Sequence, residues 1–163
     1  MAINKDKKKV ILSKVEGALS EAQSVVFVNF HGLTVAGITE MRRALRAAGV
    51  QYYVAKKNLI RRALNGAGLT GDMPELPGEI AIAWSDDLIA PAREVYVFQK
   101  KTPDNIKIVG GIFEKAFMNQ AMMMEMASIP ALPVLHGKFV NIINSPIQRF
   151  VIGLSAIAGK KSE

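Results

Sequence analysis

The chain has 163 residues, of which 50% are apolar and 21% charged, with a net charge of +7. That is long enough for one core-forming domain plus an appendage, and too apolar for a disordered chain. Cysteine is absent, which excludes disulfides and thiolate metal sites and suits a reducing compartment.

The positive charge is one-sided. Residues 1–66 hold 12 Lys/Arg against 4 Asp/Glu, and residues 67–163 hold 9 against 10, so the two parts carry +8 and −1. The cations cluster as Lys5/Lys7/Lys8/Lys9/Lys14, Arg42/Arg43/Arg46 and Lys56/Lys57/Arg61/Arg62. A basic half beside a nearly neutral, apolar half implies two tasks, one of them contact with a polyanion.

From the N-terminus, Met1 to Lys5 runs into alternating charge without an apolar h-region, so no signal peptide is expected. Asn4 is a candidate cap for a helix over about 5–22, with Ile11, Val15, Ala18, Leu19 and Ala22 on one face. Val25 to Val28 reads as a buried strand ending near His31-Gly32. Thr34 then caps a helix over about 35–48, with Val35, Ile38, Met41, Leu45 and Ala48 as its apolar face and Gly49 at its C-terminus. Val50, Tyr52 and Val54 alternate as a second strand. A short helix over about 57–65 turns Leu59, Ile60, Ala63 and Leu64 inward and Arg61 and Arg62 outward.

After a Gly/Pro-rich loop at 66–78, Glu79 to Trp84 reads as a third strand and about 87–101 as a helix with Pro91 near its start. Asn105 to Val109 is a fourth strand, broken at Gly110-Gly111 and resuming to Phe113. Setting aside the first and the short helices, the order is strand-helix-strand twice. That order predicts an α+β fold, a ferredoxin-like plait with a four-stranded antiparallel sheet and helices on one face. Beyond residue 117 the pattern changes. Asn119 caps a short Met-rich helix, Ile129 to Pro133 breaks the chain, and about 134–160 reads as a helix interrupted at Ser145-Pro146. The expected organisation is a domain at 1–117, a short helix and hinge at 118–133, and an extended C-terminal helix at 134–163.

The tail contains a repeat. Lys138 to Ser145 aligns with Arg149 to Ala156 at an offset of 11 residues. Eleven residues make about three helical turns. Phe139, Val140 and Ile143 therefore share a side with Phe150, Val151 and Leu154, roughly 16 Å along at 1.5 Å per residue. With Ile147 and Ile157 these form two apolar patches in series, suited to two copies of one partner. The other reading is a helix that folds back onto the body. The stretch 132–158 also contains His136, Lys138, Asn141, Asn144, Gln148 and Arg149, which argues against a membrane span. A cytoplasmic protein is expected.

Catalytic motifs are lacking. His31 and His136 have neither a neighbouring carboxylate nor ligand spacing, so no metal is expected. The G-x-G-x-x-G at Gly66–Gly71 follows a helix and runs into Asp72-Met73-Pro74, whereas a dinucleotide fingerprint follows a strand and opens a helix. Asp86-Asp87 reads as a helix N-terminal acid pair. The methionines between 118 and 126 read as gap-filling core or as a hinge that repacks.

The basic clusters carry more. Lysines on the first helix, Lys5 and Lys8 among them, suit either a solvated face or phosphate contact. Lys56-Lys57-Asn58 sits where a strand passes into a helix, whose first amides add donors for phosphate. Arg61 and Arg62 follow one turn on, Asn58 caps the helix or bonds a base or sugar, and His31-Gly32 adds a stacking plane and a close backbone approach. Cations with fixed polar groups suit recognition of folded RNA. Base stacking by Tyr52 and Tyr53 is not expected, because one of the two must face inward.

Ser24 to Val35, Met41 to Val50, Val54 to Leu59 and Arg62 to Leu64 together resemble the bacterial family of large-subunit ribosomal protein ten, the stalk-base protein. The likeness resumes at Gly78, Ala81 to Ala83, Ser85, Ile108 to Ile112 and Ala156 to Lys161. The resemblance implies a non-enzymatic scaffold without cofactor. Its N-terminal domain would bind large-subunit ribosomal RNA beside ribosomal protein eleven. Its C-terminal helix would hold dimers of stalk protein seven/twelve, which recruit translational GTPases. With one dimer per segment, the repeat implies two dimers; some members of the family also repress their own messenger. The chain departs from the family in having Asn29-Phe30-His31-Gly32-Leu33 for the usual Asp-Tyr-Arg-Gly-Leu, and Lys56-Lys57-Asn58 for Lys-Asn-Thr. The alternatives are a free-standing RNA-binding translational regulator whose tail dimerises it, and a small phosphate-handling enzyme using the Gly66–Gly71 loop.

Overall fold

The computed structural model describes residues 5–161. Asn4, a candidate helix cap by sequence, lies outside the described residues, as does the side chain of Lys5. The chain divides into two compact units, Met1–Ser128 and Ile129–Glu163.

The first unit runs α1 (Lys5–Glu21), β1 (Ser24–Phe30), α2 (Val35–Ala47), β2 (Gln51–Val54), α3 (Lys57–Gly66), β3 (Ile80–Ser85), α4 (Ala90–Lys101), β4 (Ile106–Phe113), β5 (Ala116–Asn119) and α5 (Gln120–Ser128). Its sheet has the order β2-β3-β1-β4-β5, with every neighbouring pair antiparallel. The first four strands in that order are the expected plait. Local signals behave as the sequence predicts: the Thr34 hydroxyl accepts from the Gly37 amide at 3.2 Å, and Gly49 takes a φ of +73° after α2.

Two features extend the plait. Helices cover both sheet faces rather than one. Val26 and Val28 pack with Met41 and Leu45 of α2, Val95 of α4 and Met123 of α5. Their alternates Val25 and Phe27 pack with Val15 of α1, Ile60 and Leu64 of α3, and Leu76 of the following loop. A strand buried on both faces reads as an unbroken apolar run, which is why Val25 to Val28 does not alternate. The first and the short helices, which the strand-helix-strand order leaves aside, supply the second layer.

The other extension is β5. Glu114 and Lys115 turn the chain with φ of +47° and +64°, and Ala116 to Asn119 returns along β4. Strand β4 is continuous through Gly110-Gly111, where the sequence suggested a break. A bulge leaves Phe27 opposite Gly110 and Val28 opposite Ile108, so Val109 is the extra residue. A single extra residue moves all later side chains to the opposite face. Ile106 and Ile108 accordingly enter one core layer and Ile112 the other. Glycine is required beside the bulge for space: a Cβ on Gly111 would lie 2.5 Å from the Val25 carbonyl oxygen and 2.8 Å from Met123 Cε.

Asp87 precedes the helix instead of entering it. Its Oδ1 accepts from the Ile89 amide at 3.0 Å, and α4 starts at Ala90 with Pro91 in the first turn, where its missing N–H costs nothing. Residues 118–128 belong to the first unit: Asn119 Oδ1 accepts from Met122 N at 3.0 Å, and Met123 and Ala127 are buried.

The second unit is essentially α6 (Leu132–Lys161), with Pro133 in its first turn. The expected interruption at Ser145-Pro146 is absent, and Pro146 lies inside a continuous helix. Proline there removes one backbone bond, while three or more turns on either side keep their own bonds. Among the described residues no single helix is long and apolar enough to cross a membrane.

Candidate nucleic-acid interface

Register brings the Lys56 cluster to one end of the sheet. Asn29 pairs with Ile80, Phe30 with Ile106 and Val54 with Ala81. The exits of β1 and β2 and the entries of β3 and β4 therefore lie side by side. At this end Lys56, the N-cap residue of α3, has extended backbone angles and its side chain makes no capping bond. Its carbonyl already accepts from the Leu59 and Ile60 amides at 2.8 and 3.2 Å. Asn58 therefore lies in the first turn and does not cap the helix, contrary to one sequence expectation. Among the described residues no side chain satisfies the first amides of α3, the arrangement that suits an anion.

Lys56, Lys57, Asn58, Arg61 and Arg62 are all exposed. Ile60, Ala63 and Leu64 hold the inner face of α3 in the core, and helical spacing sends the cations outward. A groove of about 520 Å³ runs beside them, lined by Ile11, Phe30, Val54, Lys56, Asn58 and Glu79 among others. Lys8 is exposed three residues before Ile11 on α1. Among the described residues the one ion pair is Arg93–Glu94, so this end of the sheet presents its cations unneutralised.

His31 and Gly32 share that end and are rigidly held. The His31 amide donates to the Asn105 carbonyl at 2.8 Å, and Asn105 Nδ2 donates to the Gly32 carbonyl at 2.9 Å. Gly32 has a φ of +63°, which glycine adopts without strain. The imidazole is exposed beside the turn. Lys8, His31, Gly32 and the Lys56–Asn58 corner thus lie on one end of the unit, with Arg61 and Arg62 one turn along α3.

The α2 cations are elsewhere. Arg42 lies 5.8 Å from the Tyr52 ring centroid, on the face that buries Met41 and Leu45. Burial pushes the Tyr52 phenol up to about 12, while the Arg42 guanidinium pulls it partly back. Sequence reasoning also missed the pairing of Lys14 with Tyr53, whose ammonium and ring centroid are 5.8 Å apart. No periodic signal joins two residues so distant in the chain. The Gly66–Gly71 segment opens no helix; it closes α3 and then pairs Thr70 with Ala116. Among the described residues no group of three or more His, Asp or Glu side chains could hold a metal.

The second surface is α6. Thirteen large apolar side chains on this one helix are exposed, including Phe139 at 65%, Ile143 at 61%, Phe150 at 68% and Leu154 at 51%. Val140, Ile147, Val151 and Ile157 are exposed beside them. At 100° per residue, Phe139, Ile143, Phe150, Leu154 and Ile157 form one stripe, with Asn141, Asn144 and Gln148 opposite. Large exposed apolar surfaces of this kind are rare on soluble monomers.

Comparison with known proteins gives the family. A family model described as ribosomal protein L10 matches residues 3–100. Large ribosomal subunit protein uL10 of Neisseria meningitidis is 33% identical over 162 residues, covering 99% of this chain and 97% of that protein. The uL10 of Shouchella clausii is 35% identical, with 97% and 95% covered. That of Clostridioides difficile is 38% identical, with 96% and 93% covered. Similarity at this level along nearly the whole of both chains leaves one conclusion: the chain belongs to the L10 family of large ribosomal subunit proteins.

Proposed function

We propose that this protein builds the base of the ribosomal stalk. Its first unit grips large-subunit ribosomal RNA, beside ribosomal protein eleven, through Lys56, Lys57, Asn58, Arg61 and Arg62, assisted by Lys5, Lys8, His31 and Gly32. Its tail helix anchors two dimers of stalk protein seven/twelve, one on the patch of Phe139, Val140 and Ile143 and one on Phe150, Val151 and Leu154, with Ile147 and Ile157 alongside. Those dimers recruit translational GTPases. The role is scaffolding in the cytoplasm, without catalysis or cofactor.

The observation that carries this proposal is the exposed, repeated apolar stripe of α6 in a chain of this family. Each Phe contributes about 1.5–3 kcal/mol when fully buried, so a stripe of this kind is unstable in water without a partner. Unneutralised cations beside uncapped amides suit phosphate, and the pinned turns suit a fixed RNA shape. Native mass spectrometry of the full chain mixed with purified stalk protein tests the tail. Four stalk subunits per chain are expected, and a complex of two would remove one patch. Co-sedimentation with the large subunit at moderate salt tests the scaffold role, since a free regulator would stay in the supernatant.

A further inference from the structure

A second cleft of about 440 Å³ lies against the β2 edge, away from the Lys56 corner, within the size range of small-ligand sites. Its lining includes Lys14, Gly17, Arg46, Gln51, Tyr53 and Trp84. Tyr53 pairs with Ile82 and Gln51 with Trp84. Tyr53 and Trp84 therefore stand on the same sheet face as diagonal neighbours, close enough for both rings to meet one ligand. Both are only half-buried. Lys14 reaches the cleft from α1 and Arg46 from the last turn of α2, and both are exposed. Glu21 is the one carboxylate in the lining.

We propose that this cleft takes an unpaired nucleotide of RNA, its base stacked on Trp84 or Tyr53 and its phosphates met by Lys14 and Arg46. Two partly exposed aromatic faces flanked by cations suit stacking plus backbone neutralisation, the combination by which single strands are held without sequence preference. Lys14 Nζ lies 5.8 Å from the Tyr53 centroid, and its flexible stem lets it swing onto a phosphate while a base takes the ring. A duplex keeps its bases stacked inside and cannot use these rings. An acidic peptide would use the cations but has no need of two aromatic faces. The proposal rests on the RNA-binding function above but uses none of the residues assigned there.

Trp84 is the only tryptophan, so its fluorescence reports this cleft directly. The full chain is titrated at low salt with single-stranded hexa-adenylate, with a blunt RNA duplex and with hexa-glutamate. Saturable quenching by hexa-adenylate alone is expected. Lys14→Gln with Arg46→Gln, both exposed, should weaken it about tenfold, while Gln at Lys56, Lys57, Arg61 and Arg62 should change it less than twofold. Three results would each overturn the proposal: no quenching by hexa-adenylate, quenching unchanged in the Lys14/Arg46 variant, or loss of quenching in the Lys56-corner variant. Equal quenching by hexa-glutamate would also overturn it and make the cleft a peptide site. Loss of ribosomal RNA binding in the Lys56-corner variant, with quenching intact, separates the two sites.

Discussion

Replacing Lys56, Lys57, Arg61 and Arg62 together with Gln tests the proposed RNA interface most directly. All four side chains are exposed and none is in an ion pair among the described residues. Lys56 caps through its backbone alone, so the substitutions should leave folding stability within about 0.5 kcal/mol. Each phosphate that is no longer neutralised reduces the log–log slope of affinity against salt by roughly 0.7–0.9. If all four side chains touch phosphate, the slope falls by roughly 2.8–3.6. Between 50 and 200 mM salt the variant should then lose roughly 50- to 150-fold less affinity than the wild type. Fluorescence anisotropy with a labelled ribosomal RNA fragment over that salt range measures the slope. An unchanged slope with a normal melting curve would place these residues outside the interface. A fall of about one unit would mean that only one of the four meets a phosphate.

Phe150→Asp should remove one stalk dimer and leave the other on the Phe139 patch, counted by native mass spectrometry; loss of both would mean that the two patches are not independent. Gly111→Ala should cost about 1–3 kcal/mol in denaturant melts, because its Cβ meets the Val25 carbonyl. Gly17→Ala, in open space on α1, should gain roughly 0.5–1 kcal/mol. Glu114→Asn with Lys115→Gly should raise stability by about 1–2 kcal/mol, since both residues hold positive φ in the β4–β5 turn. The Tyr52 phenol, pushed up to about 12 in the folded chain, ionises first in the unfolded chain. Its contribution should be intact below about pH 10 and fall by up to about 2 kcal/mol as pH rises from there towards 12. Comparison with Tyr52→Phe isolates this change from lysine titration; an unchanged difference across that window would refute the burial argument.

Much of the fold was legible because it rests on local periodicity. Met41 and Leu45 mark the inner face of α2 and Gly49 its end, while Ile60, Ala63 and Leu64 mark that of α3. The α6 repeat was visible for the same reason, since helical spacing alone aligns Phe139 with Phe150. The β5 return was hidden because its turn is Glu114-Lys115, two residues with no ordinary preference for positive φ. The bulge at Val109 was hidden because Gly110-Gly111 looks like a stop unless Met123 and the Val25 carbonyl are known to press against it. Pro146 misled in the opposite direction, because one missing backbone bond does not divide a helix this long.

Charge placement and helix stripes follow from the order of residues alone, since each depends on neighbours within a few positions. The gathering of His31, Lys8 and Lys56 at one sheet end, the second helical layer and the Lys14–Tyr53–Trp84 cleft depend on strand register and helix docking. Those are set by long-range burial of Val25 to Val28 and its partners, which no local window contains.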